Sequence, residues 1–136
     1  MNIPQPVMRF LVVDDNLMLA KSIKNYVVEN GHSCTAMEDG TKALEWLDGN
    51  PCDAVLTDIR MPEIDGFTLT KMIREKHPSL PILISTSLGY DEQLIEDAVK
   101  AGANGYISKV MGPKLLLLTL LQTASRRPAP SMAAAA

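Results

Sequence analysis

Basic charge, clustered soft metal ligands and long apolar runs are what this 136-residue chain lacks. Its 13 Lys and Arg stand against 16 Asp and Glu, a formal charge of -3. That leaves no basic footprint with which the chain alone would hold nucleic acid. The two cysteines, Cys34 and Cys52, have neither CxxC spacing nor the density of a secreted disulfide scaffold, so they read as reduced thiols. His32 and His77 are isolated, which removes a histidine zinc site, because zinc needs clustered ligands. The longest leucine-rich stretch, Leu115 to Leu121, contains Thr119 and falls far short of the roughly 18 apolar residues that span a bilayer. No signal-peptide order of charged, apolar and small residues opens the chain. Neither nucleic acid nor membrane is an expected partner, and the chain reads as cytoplasmic.

What is present is one repeated unit. Strand-like runs end near Val13, Met37, Thr57, Ser85 and Ser108, and each is followed by a helical segment: Leu17 to Asn30, Thr41 to Leu47, Phe67 to His77, Asp91 to Ala101 and Pro113 to Ala124. Strands alternating with helices of this length imply βαβ units and a parallel sheet. Leu11 to Val13, Val55 to Leu56 and Ile82 to Ile84 are continuously apolar, as in strands covered on both faces. Gly31 ends the first helix, Asp39 caps the second, Asp91 the fourth, and Gly112-Pro113 opens the fifth. Right-handed crossovers wind such a chain into an α/β three-layer sandwich. The domain is expected over residues 7–125, with residues 1–6 and 126–136 disordered.

Asp14-Asp15 follow the first strand and Asp58 closes the third. If these strands lie parallel, the three carboxylates meet outside their carboxyl ends, where open α/β sheets place their chemistry. Two carboxylates about 5 Å apart repel by roughly 3 kcal/mol at an effective dielectric near 20. A hard divalent ion neutralises them, and Mg²⁺ is the natural candidate because it keeps coordination sites for phosphate oxygens. The plainer reading of Asp14 and Asp15 is a helix N-cap, and one of the pair is expected to serve as both cap and ligand.

Asp14-Asp15, Asp58 with Met61-Pro62 and Asp65-Gly66, Thr86 after Pro81-Ile-Leu-Ile-Ser, and Gly105-Tyr106-Ile-Ser-Lys109 together resemble the receiver domain of bacterial two-component response regulators. The resemblance covers Arg9 to about Ala124. It implies a flavodoxin-like fold with strand order 2-1-3-4-5 and five helices. It also implies a phosphoacceptor at Asp58, loaded by a sensor histidine kinase or a phosphotransfer protein and lost by slow autodephosphorylation. By the same resemblance Asp15 and Asp58 bind Mg²⁺ directly, Asp14 directly or through water, and the Arg60 backbone carbonyl adds a ligand. Lys109 pairs with Asp58 at rest and with the phosphoryl oxygens afterwards, and Thr86 senses the phosphoryl group. Tyr106 then turns inward and alters the face made by the fourth helix, fifth strand and fifth helix. The plain alternative for Tyr106 is packing with its hydroxyl at the surface.

Three departures from the common pattern stand out. Val110 replaces the proline that often follows the lysine, and a cis bond before valine would cost about 2.5 to 4 kcal/mol, so a trans bond is expected. The missing proline is similar to the branch carrying C-terminal helix-turn-helix outputs. Arg60 and Leu88 flank the path of attacking water and are expected to modulate the phosphoryl lifetime. Leu115, Leu116, Leu117, Leu118, Leu120 and Leu121 exceed the three or so positions per two turns that a core stripe needs, so some should be exposed at a homodimer or partner interface. A phosphatase of the haloacid dehalogenase type would want Asp at position 60, which is Arg60. A nucleotide or flavin binder would want glycines where Asp14-Asp15-Asn16 stand. A non-catalytic pseudo-receiver that serves as a docking module is the alternative function.

Overall fold

The computed structural model describes residues 6–87, 89 and 91–125. Leu88 and the expected disordered ends lie outside these residues, except Pro6, which is exposed. Five strands, β1 (Arg9–Val13), β2 (Ser33–Met37), β3 (Ala54–Asp58), β4 (Ile82–Thr86) and β5 (Gly105–Ser108), alternate with five helices. The helices are α1 (Leu17–Glu29), α2 (Gly40–Gly49), α3 (Gly66–Lys76), α4 (Glu92–Ala101) and α5 (Gly112–Ser125), and a 3-10 turn (Lys109–Met111) precedes α5. All pairings are parallel and the strand order is 2-1-3-4-5, the flavodoxin-like arrangement.

Burial on both faces explains the uninterrupted apolar strands. Alternate side chains point to opposite faces, so Phe10 and Val12 join Leu56, Leu116 and Leu120 under α1 and α5, while Leu11 and Val13 join Val55, Leu69 and Ile73 under α2 and α3. Trp46 packs on the second cluster together with Met37 and Ile64. A smaller cluster of Ile59, Ile84 and Ala98 carries Phe67, Leu94, Ala103 and Tyr106 beneath α4. In α4 only Ala98 and Ala101 are buried.

Local chemistry sets the helix ends. Asp39 Oδ1 accepts the Lys42 N–H at 2.8 Å and Asp91 Oδ1 the Gln93 N–H at 2.9 Å, both N-caps. The cap of α1 is neither of the expected aspartates. Asn16 does that work, its Oδ1 accepting the Leu19 N–H at 3.2 Å. Gly31 follows α1 at φ 90°, and Gly112 stands at φ 84°, a left-handed region open to glycine. No peptide bond among the described residues is cis, so the Lys109–Val110 bond is trans as expected.

The leucine-rich helix is better buried than its composition suggests. Leu116, Leu117 and Leu120 are in the core, Leu115 and Leu121 pack partly against it, and Leu118 is the one left exposed, at 47%. The expected set of exposed leucines thus reduces to a single residue, because α5 lies across β3 and β4 and beside α1 with a broad contact stripe.

Candidate functional site

Register assembles the site. Val13 lies opposite Thr57, Asp58 opposite Ser85, and Thr86 opposite Ser108. The residues at or just past these pairs, Asp14, Asp15, Asp58, Thr86 and Lys109, therefore collect at the carboxyl end of the sheet. Asp14, Asp15 and Asp58 each offer a carboxylate oxygen within 4.8 Å of the others. Asp14 is buried, Asp15 exposed and Asp58 between. An all-oxygen, all-anionic donor set of this size fits a hard divalent cation.

Lys109 does more than pair with Asp58. Its Nζ lies 2.6 Å from Asp14 Oδ2 and 3.2 Å from Asp58 Oδ1, so it bridges the two carboxylates and sits closer to the one not expected as its partner. The other Asp14 oxygen accepts the Asn16 N–H at 2.9 Å. Asp58 Oδ1 also accepts the Ile59 N–H at 2.9 Å. Burial raises the Asp58 pKa above the ordinary carboxylate value, the Lys109 charge opposes this, and the Asp14 charge adds to it. Burial acts to lower the Lys109 pKa, but its hydrogen bond to Asp14 and the charges of Asp14 and Asp58 outweigh it, and the pKa is raised.

The loop after Asp58 is tightly folded. The Gly66 N–H donates to the Ile59 carbonyl at 2.7 Å, and the Ile64 N–H to the Pro62 carbonyl at 2.8 Å. The latter closes a γ-turn around Glu63, at φ 68°, a strained conformation for a residue with a Cβ. Gly66 is required here, since a Cβ would collide with the Asp58 carbonyl oxygen.

A cleft of about 80 Å³ opens beside the carboxylate, lined by Asp58, Ile59, Arg60, Thr86, Ser87 and Leu94. Thr86 is 4% exposed, at the end of β4. Tyr106 is half-buried in β5 with its hydroxyl oxygen shielded from solvent, so the surface-hydroxyl alternative does not hold. The structure thus brings Asp14, Asp15, Asp58 and Lys109 into one cluster, with Arg60 and Thr86 lining the cleft. Leu94 was not foreseen. Hydroxyl residues flank Thr86 in sequence, which signals Ser87, whereas Leu94 reaches the cleft only through the placement of α4.

The family model for the response regulator receiver domain matches residues 10–121. The DNA-binding transcriptional regulator NtrC of Escherichia coli (strain K12) is 37% identical over 98 residues, covering 72% of this chain and 21% of that protein. The response regulator MprA of Mycobacterium sp. (strain KMS) is 33% identical over 109 residues, covering 80% of this chain and 47% of that protein. The chain thus spans about a fifth to a half of the length of these relatives. The receiver domain of a Francisella response regulator superposes with a TM-score of 0.80 at 30% identity, covering 89% of this chain and 99% of that one. With a match running from the first strand into the last helix, this chain belongs to the response regulator receiver domain family of two-component signal transduction.

Proposed function

We propose that this domain is a phosphorylation-activated switch whose phosphoacceptor is Asp58. The observation that carries the reading is the division of labour on one carboxylate. Ile59 N–H and Lys109 both engage Oδ1, leaving Oδ2 as the attacking atom beside a cleft lined by Arg60 and Thr86. In the step, Oδ2 forms a bond to phosphorus while the bond from phosphorus to the donor imidazole nitrogen breaks, and the electron pair leaves with the imidazole. Such a transfer rests on positioning and charge neutralisation. Asp15 and Asp58, with Asp14 directly or through water and the Arg60 carbonyl, would hold Mg²⁺, which would supply that neutralisation at the phosphoryl oxygens. Both Asp14 oxygens already accept hydrogen bonds, which favours its contact through water.

Lys109 is close enough to exchange its carboxylate contacts for phosphoryl oxygens. The Thr86 hydroxyl reads the new group, and Leu94, which lines the cleft and packs in the cluster that holds Tyr106, carries the change to α4. A shift from 1:99 to 99:1 requires about 5.5 kcal/mol of differential interaction. Arg60 shields the phosphoryl group, so Arg60→Ala should lose it faster than wild type. The donor is a histidine kinase or phosphotransfer protein, and the output is a protein contact or homodimer through α4, β5 and α5, where Val99 of α4 is exposed. A chain that sediments as a monomer with and without the phosphoryl group would count against the homodimer.

The test is incubation with Mg²⁺ and acetyl phosphate, followed by intact mass beside Asp58→Asn. A Mg²⁺-dependent gain of one phosphoryl group in wild type alone supports the reading. No gain under conditions that label a control receiver would leave the docking-module alternative.

A further inference from the structure

Thr57 is fully buried one residue before the phosphoacceptor. Its Oγ1 donates to the Asp58 carbonyl oxygen at 3.0 Å. That carbonyl shares one planar peptide unit with the Ile59 N–H, and this N–H donates to Asp58 Oδ1 at 2.9 Å. The same carbonyl oxygen is crowded by Gly66, where a Cβ would collide with it. The plane is therefore held at its oxygen end and holds the carboxylate at its nitrogen end. Met61 Sδ lies 3.9 Å from the hydroxyl, but a thioether is a weak acceptor and the hydroxyl has one proton to give. Valine would fill the same space, so the surrounding Leu11, Val13 and Val55 cluster does not need a hydroxyl there.

We propose that Thr57 is a positioning residue for phosphoryl transfer. Through the 58–59 peptide it fixes the rotation of the Asp58 side chain, keeping Oδ1 on its two donors and Oδ2 free to attack. The proposal rests on Asp58 being the acceptor. In-line displacement depends steeply on such alignment, and a displacement of about 1 Å can cost roughly a hundredfold in rate.

Time courses of phosphorylation by acetyl phosphate with Mg²⁺, followed by intact mass over a range of donor concentrations, separate maximal rate from half-saturation. Thr57→Val is expected to lower the maximal rate about tenfold with half-saturation unchanged, and Thr57→Ser to stay within about twofold of wild type. In NMR spectra of the unphosphorylated chain the Ile59 amide proton should move upfield in Thr57→Val and stay in place in Thr57→Ser. A wild-type rate in Thr57→Val, an equally slow Thr57→Ser, or an unmoved Ile59 amide each overturns the proposal. If Thr57→Val does not fold, Thr57→Ala takes its place in both comparisons. A wild-type chain that accepts no phosphoryl group refutes the acceptor role itself, and the Ile59 amide then decides on Thr57 alone.

Discussion

Asp58 is pulled in two directions, by burial and Asp14 toward the neutral form and by Lys109 toward the charged one, with the first prevailing. A carboxyl whose folded pKa lies above its unfolded value of about 3.9 favours folding below that value, and the contribution is lost as pH rises through the folded pKa. At neutral pH the ionised group therefore opposes folding. Asp58→Asn in Mg²⁺-free buffer should gain on the order of 1 kcal/mol at pH 7, and the gain should vanish toward about pH 4. Urea titrations at the two pH values measure it, and equal gains at both would contradict an electrostatic origin. Lys109 has the complementary role. Lys109→Met leaves Asp14, whose side chain is 3% exposed, facing Asp58 with no cation between them. A loss of about 3 kcal/mol is expected at neutral pH, partly restored by Mg²⁺; denaturation with and without the ion reads both effects.

Among the elements, α3 and α4 are joined by one side chain. Arg74 Nε donates to the Gly102 carbonyl at 2.8 Å, Nη1 to those of His77 and Leu80, and Nη2 to Asn104 Oδ1 at 2.6 Å. Asn104 Oδ1 also accepts the Ile82 N–H at 2.8 Å, so the fan reaches the start of β4. Arg74→Met should lose about 2 kcal/mol, the range for hydrogen bonds to a charged group. Hydrogen exchange should quicken first in the turn between α4 and β5, and uniform quickening would argue against a local clamp. This fan was not legible in the sequence, because residues 74 and 104 carry no pattern that pairs them. The elements themselves were legible, since runs such as Phe10 to Val13 and Ile82 to Ile84 announce strands covered on both faces. Asp39 and Asp91 announced their caps for the same reason of local chemistry. Asn16 was missed because two adjacent aspartates could cap the helix equally well by spacing, and only the pull of Lys109 on Asp14 separates them. The exposure of Leu118 among buried leucines likewise depends on how α5 is rotated against the sheet.

For the whole molecule, a cation held by Asp14, Asp15 and Asp58 would couple its binding to folding. An ion bound only by the folded state stabilises by RT ln(1 + [L]/Kd), about 1.4 kcal/mol at ten times Kd. Mg²⁺ should raise the melting temperature of wild type and leave the Asp15→Asn/Asp58→Asn double variant unmoved in calorimetry; an equal rise in both would place the ion elsewhere. The carboxylate cluster itself could be read from sequence, because acidic residues after the first and third strands meet in any parallel sheet that sets those strands side by side. The loop that follows Asp58 offers a different use. Trp46 is the chain's single tryptophan, and it packs on the same cluster as Ile64, which belongs to the strained turn around Glu63. The molecule thus carries its own fluorophore, one loop removed from the Asp58 carboxylate. A change in its emission on ion or phosphoryl binding would report loop movement rather than contact quenching, with no dye attached.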